Sequence, residues 1–152
     1  MMIHISQLVE DQRSVGVEPG AVLMMHASLR RIGAVEGGAE GLLDALFEVL
    51  GPEGTLVMPL GADPDQPFEA NTTPADPDIG TLAEVFRRRR GTQVSDHAAA
   101  RFGASGPLSE SLLNPAPLHD YHGPGSLLER LPELDRTLLS IGDYVNIVPV
   151  KY

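Results

Sequence analysis

Residues 22–59 constrain the fold more than any other stretch of this chain. They run through Val22-Leu-Met-Met-His-Ala-Ser-Leu29, a loop carrying Gly37-Gly38, an amphipathic segment closing on Leu50-Gly-Pro-Glu-Gly54, and Thr55-Leu-Val-Met-Pro59. An apolar strand, a polar turn, a helix and a second apolar strand fit here into about the minimum length that a parallel crossover needs. Leu42, Leu43, Leu46, Phe47, Val49 and Leu50 recur at helical spacing and make one apolar stripe. Gly51 then Pro52 ends that helix, a residue tolerant of the left-handed conformation followed by one that cannot continue. Gly37-Gly38 stands just ahead of the helix, where backbone amides lacking an intrahelical partner can meet a phosphate.

The rest of the chain extends this pattern. Residues 6–14 read as a short helix with Leu8 and Val9 inward and Gly16 as its stop, and residues 21–25 as a buried strand. Residues 60–79 hold four prolines and five acids without periodicity, so a long loop is expected there, of the kind that forms a lid or a binding surface. Thr81-Leu-Ala-Glu84 has capping-box spacing and places a helix over 82–90. The Arg87–Arg90 run then falls at the helix end, where solvated positive charge complements the dipole and one arginine is free for a further task. Strand and turns are expected over 94–106, a brief helix over 108–113, a second capping box at Ser126-Leu-Leu-Glu129 and a strand over 137–141. The order predicts a single α/β domain spanning 1–152, with a parallel or mixed sheet and flanking helices.

Composition narrows the function classes. The 152 residues give room for one domain with a real core. No segment approaches the roughly 18 apolar residues that a membrane span needs, and residues 1–12 lack the basic-then-apolar pattern of a secretory signal. Cysteine is absent, which removes disulfides, thiolate catalysis and cysteine-ligated zinc and fits a cytoplasmic protein. With 11 basic and 21 acidic residues the formal charge is −10, which repels nucleic acid and anionic membranes and favours cationic partners.

Several side chains carry possible chemistry. The loop is not Gly-x-Gly-x-x-Gly and no Gly-Lys-Ser/Thr follows, so dinucleotide and nucleoside-triphosphate sites are disfavoured. His26 and Ser28 sit at the expected carboxyl end of the first strand, where ligands of open α/β sheets bind. Spacing alone leaves a phosphate cradle and plain turn geometry equally open for the glycines. His97, in Val94-Ser-Asp-His97, is the first candidate for a general base, against the commoner role of a half-buried histidine bonded to backbone. His119 and His122 have the spacing of a metal pair but no third ligand, so no metal is expected.

Taken in order, these blocks resemble the aminoglycoside N(3)-acetyltransferase family. Leu23-Met-Met-His-Ala-Ser-Leu29 with Ile32-Gly33 and Gly37-Gly38 is similar to its first strand and coenzyme A loop. Val49-Leu-Gly-Pro-Glu-Gly-Thr-Leu-Val-Met-Pro59 is the most specific block. Gly80-Thr-Leu-Ala-Glu-Val-Phe-Arg87 resembles its next helix, Ser95-Asp-His97 its Ser-x-His-Pro segment, and His122-Gly-Pro-Gly-Ser126 its Gly-Pro-Gly-Ser turn. The fold implied is the N-terminal part of that family's fold.

The resemblance implies acetyl transfer from acetyl-coenzyme A to an amine of an aminoglycoside antibiotic, with no metal. It assigns His26, Ser28, Leu29, Gly33, Gly37, Gly38, Pro59 and Ser95 to the coenzyme side, with Ser28, Gly37 and Gly38 receiving the phosphates and pantetheine arm. His97 is the retained candidate base. Aminoglycosides are polycations, and Asp63, Asp65, Asp76 and Asp78 of the 60–79 loop are expected to gather them. Three blocks depart from the family pattern. Leu60 stands where Met-Pro-Thr is common; Ala98 and Arg101 stand where the proline and second serine of Ser-x-His-Pro-x-x-Ser would be; and 143–152 lacks the histidine and glutamate of Asn-Thr-x-x-His-x-x-Glu. The departures imply a C-terminally truncated or divergent member in which coenzyme binding outlasts turnover. The alternatives are a non-catalytic coenzyme-A-binding or interaction remnant and a generic phosphate-binding module. An uncovered strand at 137–141 would favour self-association or marginal stability.

Overall fold

The computed structural model describes residues 2–97 and 101–113 in full and residues 136–141 as backbone. Within these lie α1 (Ile5–Ser14), β1 (Val22–Ala27), α2 (Leu29–Ile32), α3 (Gly38–Leu50), β2 (Thr55–Pro59), α4 (Thr81–Arg88), β3 (Gln93–Val94), β4 (Phe102–Ser105), α5 (Ser109–Leu113) and β5 (Arg136–Ile141). The strands form one sheet in the order β3-β4-β2-β1-β5. β1 runs parallel to both β2 and β5, whereas β4 is antiparallel to β2 and to β3. Of the parallel or mixed alternatives, the sheet is mixed. The 126–129 capping box, the Gly-Pro-Gly turn, His119, His122 and the 143–152 tail lie outside the described residues.

Alternation along the strands sorts the two faces. Leu23, Met25 and Ala27 of β1 and Leu56 and Met58 of β2 join the larger core, built with Leu8 and Val9 of α1, Leu42, Leu43, Leu46 and Leu50 of α3, and Leu82 and Phe86 of α4. Val22 and Val57 point the other way and pack with Ala104, Leu112 and Leu113. Each fully buried leucine is worth about 2 kcal/mol, so the four on α3 fix that helix against the sheet more strongly than any surface charge pair does. On the second face exposure grows along β1, from buried Val22 through half-buried Met24 to exposed His26. The carboxyl end of β1 is therefore open on that side.

Local signals were mostly followed, with one exception. Gly80, at φ +119°, takes the N-cap of α4, and no side chain caps the helix there. Thr81 is already helical, and Glu84 spends its carboxylate on Arg87 and on the Ala75 amide. The capping box read from Thr81 and Glu84 is thus replaced by a longer-range contact.

Candidate functional site

The parallel arrangement puts the carboxyl ends of β1 and β2 at one edge of the sheet, with the start of α3 beside them. His26 and Ser28 close β1, and Pro59 closes β2 two residues beyond the Met24–Val57 pair. Pro59 in turn pairs with Phe102 of β4, whose amide donates to the Ser95 hydroxyl at 2.9 Å. Gly80 also reaches this edge, where a Cβ on it would lie 4.0 Å from the Ala27 carbonyl. The structure therefore gathers His26, Ser28, Pro59 and Ser95 along one rim. Ser95 is buried, and its hydroxyl and amide both bond to Phe102. His97 is half-buried and follows two residues later.

The loop from Ser28 to Gly38 is held largely by main chain. Arg31 and Ile32 donate to the Ser28 carbonyl, Gly33 to Leu29, and Gly38 to Val35. Residues 34–36 form a bridge with the N-terminal segment, in which Ile3 donates to Ala34 and Glu36 to Ile3. The Glu36 carboxylate then accepts from the Ile5 amide, supplying α1 with an end cap from 31 positions away, and lies 3.2 Å from His4. The Ile5 amide, followed by His4, holds the Glu36 carboxyl below the ordinary carboxylate value. Between Ser28 and Gly38 the amides of Arg31, Ile32, Gly33, Glu36 and Gly38 are thus bonded to other peptide groups, so the Gly38 amide, on a residue to which the resemblance assigned the phosphates, does not face a ligand.

What remains open is the first turn of α3. Gly37 and Gly38 take φ of +74° and +63°, a pair of left-handed residues that only glycine adopts readily. Among the described residues the amides of Gly37, Ala39 and Glu40 find no acceptor, as the first turn of a helix dictates. A Cβ placed on Gly33 or Gly38 would meet nothing within 4 Å, so the space in front of the loop is free. The two nearby carboxylates are already engaged, Glu36 as above and Glu40 with Arg89. These features fit a diphosphate at the helix start.

Four residues contribute here beyond those expected from the sequence. Arg30 and Arg31 are exposed on α2 and bring positive charge to the rim of an acidic chain. Gly41, the fourth residue of α3, is what lets the loop close on the helix: a Cβ there would stand 1.8 Å from the Glu36 carbonyl oxygen. The spacing Gly37-Gly38-x-x-Gly41 carried that signal. Arg101 is 1% exposed and lies beneath the 60–79 loop, a placement nothing in its neighbourhood announces.

That loop is long and irregular but well bonded. Asp63 donates through its amide to Pro74, and Asp76 to Leu60, which closes the neck. The Asp63 and Asp76 carboxylates cap turns by accepting the Asp65 and Asp78 amides at 3.0 and 2.9 Å. Asp65 and Asp78 are exposed and their carboxylates bind no described residue. Of the four acids expected to gather a cation, two shape the loop and two face outward. The arginine run is correspondingly less solvated than expected: Arg87 pairs with Glu84 and donates to the Asn71 carbonyl, while Arg89 reaches Glu40 and Asp44 across the α3–α4 contact and stacks on Phe47 at 5.0 Å. Among the described residues no three metal-ligating side chains cluster, and no helix is long and apolar enough to cross a membrane.

Comparison with known proteins identifies the family and the fold. A profile for the family "Aminoglycoside 3-N-acetyltransferase" matches residues 24–146. Aminoglycoside N(3)-acetyltransferase IV of Salmonella sp is 41% identical over 140 residues, covering 90% of this chain and 52% of that protein. The crystal structure of aminoglycoside acetyltransferase AAC(3)-Xa superposes with a TM-score of 0.87 at 31% identity, covering 91% of this chain and 56% of its own. AAC-IIIb, in a binary complex with CoASH, gives 0.86 at 26% identity, with 92% and 59% covered. The chain spans somewhat over half the length of these relatives. With the family profile matching most of its residues, the chain belongs to the aminoglycoside N(3)-acetyltransferase family.

Proposed function

We propose that this chain takes part in acetyl transfer from acetyl-coenzyme A to the 3-amino group of an aminoglycoside, using the edge where β1, β2 and the start of α3 meet. The observation that carries the reading is the first turn of α3, with its three unoccupied amides and the open space before Gly38. The coenzyme diphosphate lies against the Gly37, Ala39 and Glu40 amides, with Arg30 and Arg31 supplying counter-charge. Ser28, Leu29, Gly33, His26, Pro59 and Ser95 line the path of the pantetheine arm. A similar structure in complex with CoASH supports the coenzyme side of this reading.

The acceptor amine is drawn by the outward carboxylates of Asp65 and Asp78, with Asp63 and Asp76 adding negative potential. His97 takes the proton that the amine sheds as its nitrogen forms the amide bond and the thioester C–S bond breaks. A second reading, coenzyme binding without turnover, is favoured by Leu60, a fully buried apolar side chain where the resemblance has a hydroxyl.

Calorimetric titration with acetyl-coenzyme A, followed by a thiol-release assay against a panel of aminoglycosides, separates the two. Binding with release that His97→Ala abolishes supports transfer. Binding with no release on any amine supports the second reading. Absence of coenzyme binding by the folded protein contradicts both.

A further inference from the structure

We infer that Arg101 is a positioning residue that presets the 60–79 loop, so that the loop meets a cationic acceptor already folded; this rests on the reading of that loop as the acceptor side. The Arg101 side chain is 1% exposed, yet every hydrogen bond it makes among the described residues is to a main-chain carbonyl. One terminal nitrogen donates to Gly61 at 3.2 Å and Pro74 at 3.3 Å, the other to Ala70. The guanidinium lies over the Phe68 ring at 5.6 Å. These four partners span both legs and the tip of the loop. The Arg101 carbonyl completes the clamp by accepting from Leu60 and Gly61 at the loop neck.

A buried cation with no carboxylate hydrogen-bonded to it is costly: burial, then the neighbouring Arg87, disfavours its charge, Glu84 offsets this in part through space, and carbonyl dipoles and an aromatic face make the direct contacts. Its Nε is buried without a partner, the residual cost of that arrangement. The gain is order in a segment that has no helix or strand to organise it. Helix α4 grips the same segment from the outside, through Glu84 at Ala75 and Arg87 at Asn71. With both grips in place, Asp65 and Asp78 are held at fixed positions on the loop surface, so a polycation binds without ordering the loop first. Arg101 does not itself face the acceptor.

Arg101→Lys keeps the charge but cannot reach three carbonyls, and Arg101→Met removes the charge as well. Two readouts test the inference on the full chain. Hydrogen exchange at the Asp63 and Asp76 amides is expected to speed up about tenfold in Arg101→Lys, the scale of one lost hydrogen bond to a charged group, with the β1 and β2 amides unchanged. Titration with sisomicin as probe is expected to weaken about tenfold on the same scale, while acetyl-coenzyme A binding stays within about twofold. Should Arg101→Met fail to fold, Arg101→Lys carries both measurements. Unchanged exchange at Asp63 and Asp76 overturns the clamp. Faster exchange with unaltered sisomicin affinity, or equal losses for both ligands, overturns the positioning role. If the unmodified protein binds acetyl-coenzyme A but not sisomicin, the acceptor reading itself fails, and with it the role of Arg101 in recognition; the exchange data then still report on the clamp.

Discussion

Two loops leave the same end of the sheet, and only the second is gripped by charged side chains from outside it. The loop after β1, residues 28–37, is fixed by main-chain bonds within itself and to the N-terminal segment, with Gly41 permitting the close approach. The loop after β2, residues 60–79, is closed at its neck by its own main-chain bonds but depends as well on charged side chains that arrive from elsewhere, Arg101 from beneath and Glu84 and Arg87 from α4. The first arrangement leaves a few amides free at a helix start, suited to an anion. The second uses up its inward polar groups and turns carboxylates outward, suited to a cation. An acyl transfer joining a polyanionic donor to a polycationic acceptor needs both kinds of surface side by side.

The comparison breaks most visibly at Arg101. Arg101→Met leaves the carbonyls of Gly61 and Ala70 without their Arg101 donor, while Pro74 keeps the Asp63 amide, and urea unfolding is expected to show a loss of about 3 kcal/mol, since each unsatisfied buried group costs about 1–3 and some rehydrate. A loss below about 0.5 kcal/mol, the size of an ordinary surface change, would mean that the loop does not depend on this side chain. The other loop is tested at Gly41→Ala, where the new methyl meets the Glu36 carbonyl. Overpacking against main chain predicts a loss of about 2 kcal/mol, together with weaker acetyl-coenzyme A binding as residues 36–38 shift; a neutral change in both would contradict the packing.

Glu84 sharpens the contrast through pH. The Arg87 hydrogen bond, opposed by burial and aided by the Ala75 amide, holds its carboxyl below the ordinary value of 4.5. A depressed folded-state value means that the unfolded chain takes up the proton first. The stability Glu84 contributes is therefore complete above about pH 4.5 and is lost as pH falls through the folded value. Melting temperatures recorded from pH 7 down to pH 3 should fall less steeply in Glu84→Gln than in the unmodified protein; parallel curves would show that this carboxylate is not a link between α4 and the loop. Arg89→Ala, which removes partly exposed pairs to Glu40 and Asp44 and the Phe47 contact, is expected to cost only about 1 kcal/mol by thermal unfolding. A loss as large as that of Arg101→Met would place the dominant electrostatic anchor at the helix contact instead.

The same contrast explains what could be read from the chain. The α1, α3, β1 and β2 elements follow from apolar periodicity, because Leu8, Val9, the α3 leucines and the strand residues bury in register with their spacing. Gly37 and Gly38 were legible because two left-handed residues before a helix leave a local signature. The clamp was not legible. Arg101 follows an alanine run, and its three carbonyl partners lie 27 to 40 positions earlier. No local pattern distinguishes it from a surface arginine. Arg87 and Arg89 looked like a solvated helix end for the same reason: their partners Asn71, Glu40 and Asp44 are distant in sequence. Thr81 and Glu84 misled in the reverse direction, since a local capping pattern was overridden by a tertiary contact that uses the same carboxylate.

The anion-binding start of α3 is the claim on which the rest depends, and amide chemical shifts test it most directly. Coenzyme A added to isotopically labelled protein is expected to move the Gly37, Ala39 and Glu40 resonances most, with Arg30 and Arg31 following and the 60–79 amides nearly still. Shifts centred on another part of the molecule, or none at saturating coenzyme A, would contradict the account.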